Sequence, residues 1–147
     1  MQRLKRKVLV ICTANSCRSQ MAEGLINHEL GDEWLAYSAG TNPSSVNPRA
    51  VQVMAEIGID ISGHHSKSVD VFLDRDDLDL VVTLCDHARE VCPAFPGNVS
   101  QEHIGFDDPA YLNDQPDEVA LPVLRRIRDQ IRLILLDYLK ARFERNL

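Results

Sequence analysis

Four cysteines are the residues of this chain best suited to chemistry, and they lie at positions 12, 17, 85 and 92. Cysteine thiolates attack electrophilic centres, bind metals and exchange disulfides, so their neighbours decide which reaction applies. Cys12 is followed six residues later by Arg18, whose planar fork of donors suits a tetrahedral oxyanion. The sequence therefore predicts a nucleophilic thiol beside a bound oxyanion.

The segment from Cys12 to Ser19 connects a predicted strand to a predicted helix. A tight loop in that position directs backbone N–H groups inward and adds the positive end of the helix dipole, which makes an anion cradle. The same field favours the thiolate of Cys12, and a hydrogen bond from Ser19 would stabilise it further. Asn15 tolerates the left-handed backbone conformation that a sharply curved loop requires. The predicted oxyanion-binding residues are Thr13, Ala14, Asn15, Ser16, Cys17 and Arg18.

The elements that would position these groups alternate between strands and helices. Short apolar runs rich in β-branched residues predict strands over 7–12, 34–39, 79–84 and 99–106. Apolar residues at helical spacing predict three helices. The first spans 18–30, the second begins at Pro48 with Asn47 as its N-cap, and the third spans 122–142. Ile134 is predicted to belong to the apolar stripe of the third helix that faces the core. This alternation predicts an α/β fold with a parallel sheet covered on both faces. Cys12, Cys85 and Asp108 all follow strands, at the edge where such sheets bind ligands.

Length, composition and charge narrow the possible functions. The 147 residues suit a single catalytic domain spanning 1–147, and we expect a monomer. A net charge of −6 argues against a nucleic-acid partner, and basic side chains of the last helix such as Arg128 are expected to be solvated. No apolar run approaches the roughly 20 residues of a membrane span, so we expect no membrane partner. Reactive thiols without a signal peptide favour a cytoplasmic location.

The loop from Cys12 to Ser19, the residues 20–24 after it and the later Asp108-Pro109 pair resemble the low-molecular-weight protein tyrosine phosphatase superfamily. The similarity is greater to its thioredoxin-coupled arsenate reductases and extends from Val8 to the final helix. The resemblance implies a four-stranded parallel sheet flanked by helices, with Cys12 as nucleophile. It also implies that Asp108 protonates the departing oxygen, and that Asp107 is a solvated bystander.

Cysteines matching Cys85 and Cys92 are the resolving pair in the reductase branch. The resemblance implies that Cys12 attacks arsenate, that Cys85 attacks the Cys12 sulfur and releases arsenite, and that Cys92 then attacks Cys85. The last exchange requires the segment between Cys85 and Cys92 to rearrange. Thioredoxin is the expected electron donor and phosphate the expected substrate analogue, with no bound cofactor and no metal.

A phosphatase is the alternative enzyme, since it needs only Cys12, Arg18 and Asp108. Against it, Gln20 stands where the tyrosine phosphatases commonly have proline, and Ala110 stands where an aromatic residue often grips the substrate ring. Arsenate and phosphate are alike in charge and shape, so weak phosphatase activity is expected in either case.

Two further alternatives do not involve oxyanion turnover. A regulatory oxyanion-binding or redox-sensing module would keep the loop without needing Asp108. Structural zinc would use the spacing of Cys12 and Cys17, but Arg18 beside a metal ion is electrostatically unfavourable. Cys17 is instead expected to be a structural loop residue that contributes its N–H.

Members of the family often carry a potassium ion near the oxyanion loop. Asn15, Glu23 and Ser38 match residues used there, but Lys67 stands where a further acidic partner is expected. The lysine ammonium would take the place of the cation, so we expect no strong activation by potassium.

Overall fold

A computed structural model of the chain describes residues 4–145. Its strands are β1 (Arg6–Cys12), β2 (Trp34–Gly40), β3 (Leu80–Thr83) and β4 (Ser100–His103). Its α-helices are α1 (Arg18–Glu29), α2 (Pro48–Ala55), α3 (Asp86–Val91), α4 (Asp117–Gln130) and α5 (Leu136–Arg145). A π-helical turn, Ile131–Leu135, joins α4 to α5, and short 3₁₀ helices span Val69–Phe72 and Pro109–Leu112.

The four strands form one parallel sheet in the order β2-β1-β3-β4. Alternate residues of a strand face opposite sides, so Val8 and Val10 of β1 pack in one core and Leu9 and Ile11 in the other. Helices α1, α2, α4 and α5 supply the first core, whereas α3 and the first 3₁₀ helix supply the second. The predicted α/β fold, a four-stranded parallel sheet with helices on both faces, is confirmed.

The loops that follow β1, β3 and β4 lie side by side at one edge of the sheet. Leu84 donates a backbone hydrogen bond to the Ile11 carbonyl at 2.8 Å, and Phe106 donates one to the Leu84 carbonyl at 3.0 Å. These bonds continue the pairing beyond the strand ends. The three predicted reactive segments are therefore neighbours, as expected at the carboxyl edge of a parallel sheet.

The last helix begins earlier than the sequence pattern predicts. The prediction starts it at Pro122, but α4 begins at Asp117 and Pro122 lies inside it. A proline at that position removes one intrahelical hydrogen bond. Burial of Ala120, Leu121 and Leu124 around it keeps the segment helical.

The π-helical turn changes which residues of the last helix face the core. Ile131 and Leu135 are buried, but Ile134, predicted to be core, is 49% exposed. The additional residue in a π turn rotates the side chains that follow, so Leu136 becomes buried.

Arg128 also differs from the expectation that it is solvated. It is 8% exposed, and its Nη1 donates to the Val53 carbonyl at 2.8 Å and to Glu56 Oε1 at 3.1 Å. Both acceptors lie at the C-terminal end of α2, where a cation offsets the negative end of the helix dipole. Arg128 therefore joins α4 to α2.

Two segments near the predicted site also differ from the sequence pattern. Strand β4 is shorter than the predicted 99–106, and residues 104–108 leave it as a loop. The segment between Cys85 and Cys92, to which the pattern assigns no element, is the helix α3.

Within residues 4–145 no helix combines the length and apolar character needed to cross a bilayer.

Gly24 gives the first testable prediction, since α1 packs closely at this position. A Cβ there would lie 2.7 Å from Ile61 Cγ2 and 3.2 Å from Met54 Cε. Gly24→Ala should therefore lower the free energy of unfolding by about 1–2 kcal/mol, because overpacking outweighs the helix propensity of alanine. Chemical denaturation measures the change.

Gly63→Ala is the matched control, because a Cβ at Gly63 meets no atom within 4 Å. It should change stability by less than about 0.5 kcal/mol. A Gly24→Ala protein as stable as this control would contradict the packing argument.

Candidate active site

Cys12 is the last residue of β1 and begins the loop that leads into α1. It is 2% exposed, and α1 begins at Arg18. The first turn of a helix has free N–H groups and the positive end of the dipole, so negative charge beside this loop is stabilised. The predicted oxyanion loop therefore has the predicted position between strand and helix.

The carbonyl groups of this loop are engaged by the segment that follows β2. Thr41, Asn42, Ser44 and Asn47 donate backbone hydrogen bonds to the carbonyls of Cys12, Thr13, Ala14 and Ser16, at 3.1, 2.8, 3.0 and 2.9 Å respectively. The amides of residues 14–17 donate to no acceptor within the described chain. Successive free amides of this kind form an anion-binding concavity.

Gly40 allows the end of β2 to approach the loop. A Cβ at this position would lie 2.5 Å from the Thr13 carbonyl oxygen and 2.9 Å from the Asn15 nitrogen. Any side chain would therefore push the loop away from β2. Sequence reasoning did not identify this requirement, because its only signal was a glycine at a strand end.

A chain of hydrogen bonds directs the Ser19 hydroxyl at the Cys12 sulfur. Asn15 has the expected left-handed backbone, with φ of 50°, and is completely buried. Its Nδ2 donates to Ser19 Oγ at 2.7 Å, and Ser19 Oγ lies 2.9 Å from Cys12 Sγ. An amide NH₂ cannot accept a hydrogen bond, so the Ser19 proton is left for the sulfur. This arrangement places a hydrogen-bond donor against the sulfur of Cys12.

Arg18 is held against the loop that carries the predicted acid. The guanidinium is almost buried, donates to the Phe106 carbonyl at 3.2 Å and lies 3.5 Å from Asp108 Oδ1. Asp108 accepts a hydrogen bond from the Ala110 amide at 2.9 Å and its side chain is 64% exposed. A carboxyl group that is open to solvent and beside the anion site can take up and deliver protons.

Asp107 has a different environment from its neighbour. It pairs with Arg126 at 3.2 Å on the exposed face of α4, with both side chains largely in solvent. Asp107 also lines the cavity that adjoins Cys85 and Arg18, and its role as a solvated bystander stays a prediction.

A small crevice opens over the oxyanion loop. It encloses about 120 Å³ and is lined by Cys12, Ala14, Ser16, Cys17, Arg18, Ser44, Asn47, Asp108, Pro109, Ala110 and Asn113. Its volume is below the several hundred Å³ typical of sites for drug-sized molecules. No aromatic side chain is among the described residues that line it. The crevice therefore suits a small inorganic oxyanion better than a phosphorylated ring.

Cys85 lies at the N-cap of α3, next to the oxyanion loop. Its sulfur accepts a hydrogen bond from the Ala88 amide at 3.4 Å and lies 3.4 Å from Thr13 Oγ1. The sulfur therefore lies at the N-terminus of α3 and in contact with the oxyanion loop. A cavity of about 450 Å³ adjoins Cys85 and Arg18. The contact with Thr13 was not predicted, because 72 residues separate the two in sequence.

Cys92 lies at the opposite end of α3. It is the C-cap residue, is half-buried, and lines a cavity of about 270 Å³ together with Arg89 and His103. Burial raises the pKa of the Cys92 thiol above its ordinary value. The structure thus separates the two later cysteines by the length of a short helix.

Cys17 has an environment unlike that of the other loop cysteine. It is 6% exposed and packs in the core beneath α1. Burial, with a smaller contribution from the nearby Cys12, raises the pKa of Cys17 to about 12. A thiol held neutral in this way is a poor nucleophile, in agreement with its expected structural role.

Lys67 occupies the position where the resemblance implies a potassium ion. Its Nζ lies 3.7 Å from Glu23 Oε1 and 3.5 Å from Ser38 Oγ, and its backbone N–H donates to Asn15 Oδ1 at 3.0 Å. Ser38 in turn donates to Glu23 at 2.8 Å. Glu23 is partly buried, and its other carboxylate oxygen lies 3.3 Å from His64 Nδ1. The ammonium already supplies positive charge beside this carboxylate, so these residues do not fit an additional cation.

The zinc alternative gains no support from the geometry. Across residues 4–145 no three His, Cys, Asp or Glu side chains are grouped so that they could hold a metal ion. All four cysteines are free thiols.

Comparison with known proteins identifies the relatives of this chain. The sequence profile of the low molecular weight phosphotyrosine protein phosphatases matches residues 7–146. The arsenate reductase of Halalkalibacterium halodurans is 54% identical over 127 residues, which cover 86% of this chain and 90% of the relative.

Solved structures agree with this assignment. An arsenate reductase in an oxidised state has a TM-score of 0.75 and 33% identity, covering 94% of this chain and 98% of that protein. An arsenate reductase in a phosphate-binding state, with the same identity and coverage, has a TM-score of 0.73.

The high pKa of Cys17 generates a prediction about its reactivity. At pH 8 its thiolate fraction should be roughly one part in ten thousand, so iodoacetamide should leave Cys17 unmodified in the native reduced protein. Peptide mass mapping after timed alkylation measures this. Denatured protein, in which all four thiols should react, is the control, and rapid native labelling of Cys17 would contradict the assignment.

Lys67 generates a second prediction from this site. Replacing sodium by potassium at constant ionic strength should change the Tm of the natural chain by less than about 1 °C, since the ammonium already neutralises Glu23. Lys67→Met should lower the Tm by about 3–8 °C, because the carboxylate loses its cation. Potassium should restore part of this loss.

Lys140→Met is a suitable control for the Lys67 variant, because Lys140 is exposed on α5. It should leave the Tm unchanged in both salts. A large potassium effect on the natural chain would show that Lys67 does not replace the ion.

Proposed function

This chain belongs to the low molecular weight phosphotyrosine protein phosphatase family, and we propose that within this family it reduces arsenate to arsenite. The observation that carries the proposal is the position of the two additional thiols. Cys85 lies beside the oxyanion loop, 3.4 Å from Thr13 Oγ1, and Cys92 closes the same short helix. A phosphatase requires neither thiol. The 54% identity to an arsenate reductase points in the same direction.

The first step is attack of the Cys12 thiolate on arsenic. The free amides of the loop and Arg18 bind the oxyanion, and the Ser19 hydroxyl lies 2.9 Å from the attacking sulfur. A sulfur–arsenic bond forms and an arsenic–oxygen bond breaks. Asp108 donates a proton to the departing oxygen, which leaves as water. Arsenic remains in its +5 state at this stage.

The second step reduces arsenic. The Cys85 thiolate attacks the Cys12 sulfur, so that a sulfur–sulfur bond forms and the sulfur–arsenic bond breaks. The electron pair of the broken bond stays on arsenic, which leaves as arsenite in its +3 state. Both sulfurs belong to the second hydrophobic cluster of the fold, so the shift required is local. The Cys12–Cys85 disulfide holds the two oxidising equivalents.

The third step moves the disulfide outward. Cys92 attacks the Cys85 sulfur and Cys12 leaves as a thiolate, ready for another cycle. Cys85 and Cys92, which cap α3, are seven residues apart in sequence, or about 10 Å along a helix, whereas the Cα atoms of a disulfide lie roughly 4.4–6.8 Å apart. Helix α3 must therefore open during this step. Opening also removes Cys92 from the burial that raises its pKa.

Thioredoxin is the reductant we propose for the Cys85–Cys92 disulfide. A disulfide at the exposed end of α3 is open to a protein dithiol, which becomes the disulfide as Cys85 and Cys92 regain two electrons and two protons. No bound cofactor is needed. Such a cycle runs in a reducing compartment, for which we propose the cytoplasm, with the chain acting as a monomer.

Phosphatase activity is the second candidate function, since the same loop, Arg18 and Asp108 can serve phosphate esters. The crevice over Cys12 is small and has Ala110 after Pro109 at its rim. Gln20 is turned inward, where its Nε2 donates to the carbonyls of Asn15 and His65 at 3.0 Å. We therefore assign aryl phosphate hydrolysis to a weak side activity, with phosphate itself binding as an analogue of arsenate.

The relay predicts how turnover depends on Cys92. With arsenate, thioredoxin, thioredoxin reductase and NADPH, the natural chain should consume NADPH continuously. Cys92→Ser should stop after about one equivalent, because it can form the Cys12–Cys85 disulfide but cannot pass it on. Absorbance of NADPH measures both, and mass spectrometry of the stopped variant should find that disulfide.

Cys17→Ser is the matched control, since it changes a thiol that the relay does not use. It should retain continuous turnover. Absence of arsenate-dependent turnover in the natural chain, together with rapid hydrolysis of p-nitrophenyl phosphate, would contradict the proposal and identify a phosphatase.

A further inference from the structure

Helix α3 is tied to the sheet through its first residue. Asp86 Oδ1 lies 3.3 Å from His103 Nε2, and His103 is the last residue of β4. The other ring nitrogen of His103 lies 2.9 Å from Thr83 Oγ1, at the end of β3. A hydroxyl, an imidazole and a carboxylate thus connect two strands to the start of the helix between Cys85 and Cys92.

The position of the His103 ring is determined by its surroundings. Thr83 is 5% exposed and fixes the Nδ1 side of the ring. Gly105 leaves room on the other side, because a Cβ there would lie 3.1 Å from His103 Nε2. Nε2 is therefore directed at Asp86 before any change in the helix.

The remainder of α3 has few attachments. Ala88 is completely buried and anchors the helix in the second cluster, but every other residue of α3 is exposed. Asp86 also pairs with Arg89 at 3.6 Å, which is a contact within the helix. The Asp86 side chain is 79% exposed, so its contact with His103 is a weak tie, and it joins the first turn of α3 to β4.

We propose that Asp86 and His103 act as a latch that holds α3 in its helical form while Cys85 and Cys92 are thiols. The inference rests on the proposed relay, in which α3 must open to form the Cys85–Cys92 disulfide. Neither residue touches the oxyanion, so both are positioning residues. The latch sets how readily α3 opens and how strongly the dithiol form is preferred over the disulfide.

The direction of the effect follows from this arrangement. The latch is made in the helical dithiol form, and opening of the first turn displaces Asp86 from His103. Loss of the latch therefore destabilises the dithiol relative to the disulfide. The reduction potential of the Cys85–Cys92 couple should become more negative, and the helix should open more often.

A double-mutant cycle tests the latch in the full-length chain. The variants are Asp86→Asn, His103→Phe, which keeps a ring in the same space, and the double variant. In the reduced protein, hydrogen–deuterium exchange of the α3 amides should be about threefold faster in each single variant, as for one carboxylate–imidazole contact whose carboxylate is largely exposed. The double variant should be no faster than either single variant, because both changes remove the same contact.

The equilibrium between the dithiol and disulfide forms of Cys85 and Cys92 is the second measurement. A loss of packing that affected both forms equally would not shift it. Each protein, carrying Cys12→Ser to isolate the pair, is equilibrated with reduced and oxidised dithiothreitol. Two electrons and two protons pass from Cys85 and Cys92 to the dithiothreitol disulfide as the protein disulfide forms. Each single variant should shift this equilibrium about threefold toward the protein disulfide, which corresponds to about 14 mV.

His87→Phe is the control, since it makes the same change to an imidazole of α3 that forms no hydrogen bond or ion pair with the described residues. It should match the natural chain in both measurements. Unchanged exchange in Asp86→Asn and His103→Phe, or effects that multiply in the double variant, would overturn the latch.

The exchange experiment involves neither arsenate nor a disulfide, so its result stands apart from the proposed function. Failure of the Cys85–Cys92 disulfide to form in any variant would contradict the relay. Formation of that disulfide with an unchanged equilibrium in both single variants would contradict the latch alone.

Discussion

The buried side chain of Asn15 holds the oxyanion loop in its shape, and much of the site depends on it. Its amide oxygen accepts the backbone N–H of Lys67, while its amide nitrogen donates to Ser19. The left-handed backbone at this residue lets the loop curl so that its carbonyls meet the segment after β2. The backbone amides of the loop therefore remain available to bind an anion, and the Ser19 hydroxyl remains available to contact the Cys12 sulfur. A single asparagine therefore connects the conformation of the loop to the contact between Ser19 and Cys12.

Cys12 and Cys85 are placed on the same physical principle. Each follows a strand of the sheet and precedes the first turn of a helix, where free N–H groups favour negative charge. Cys17 also precedes a helix, as the N-cap of α1, but burial outweighs that position and raises the pKa of its thiol, as burial does for Cys92. The proposed relay begins at Cys12 and proceeds to Cys85, the two cysteines at the ends of strands. In that proposal Cys92 reacts once α3 has opened.

Three positively charged side chains are placed against specific acceptors in a chain whose net charge is −6. Arg18 lies beside the oxyanion loop, Lys67 lies 3.7 Å from the partly buried Glu23, and Arg128 offsets the C-terminal end of α2. Each cation is held by neighbouring acceptors and is at least partly removed from solvent. Local placement of this kind allows an acidic protein to bind a small anion without a broad basic surface.

The amino-acid sequence by itself was sufficient for the parallel α/β fold, the loop from Cys12 to Arg18 and the left-handed Asn15. These features depend on local patterns, namely apolar periodicity, an N-cap and a residue type suited to a tight turn. The predictions from local patterns were wrong for the start of α4, the exposure of Ile134 and the burial of Arg128. Packing between segments distant in sequence decides those three features. The tertiary structure alone revealed the close approach of Gly40, the contact between Thr13 and Cys85, and the pairing of Asp86 with His103. Each joins residues far apart in sequence, or on different strands, and a spacing rule within one segment carries no information about such contacts.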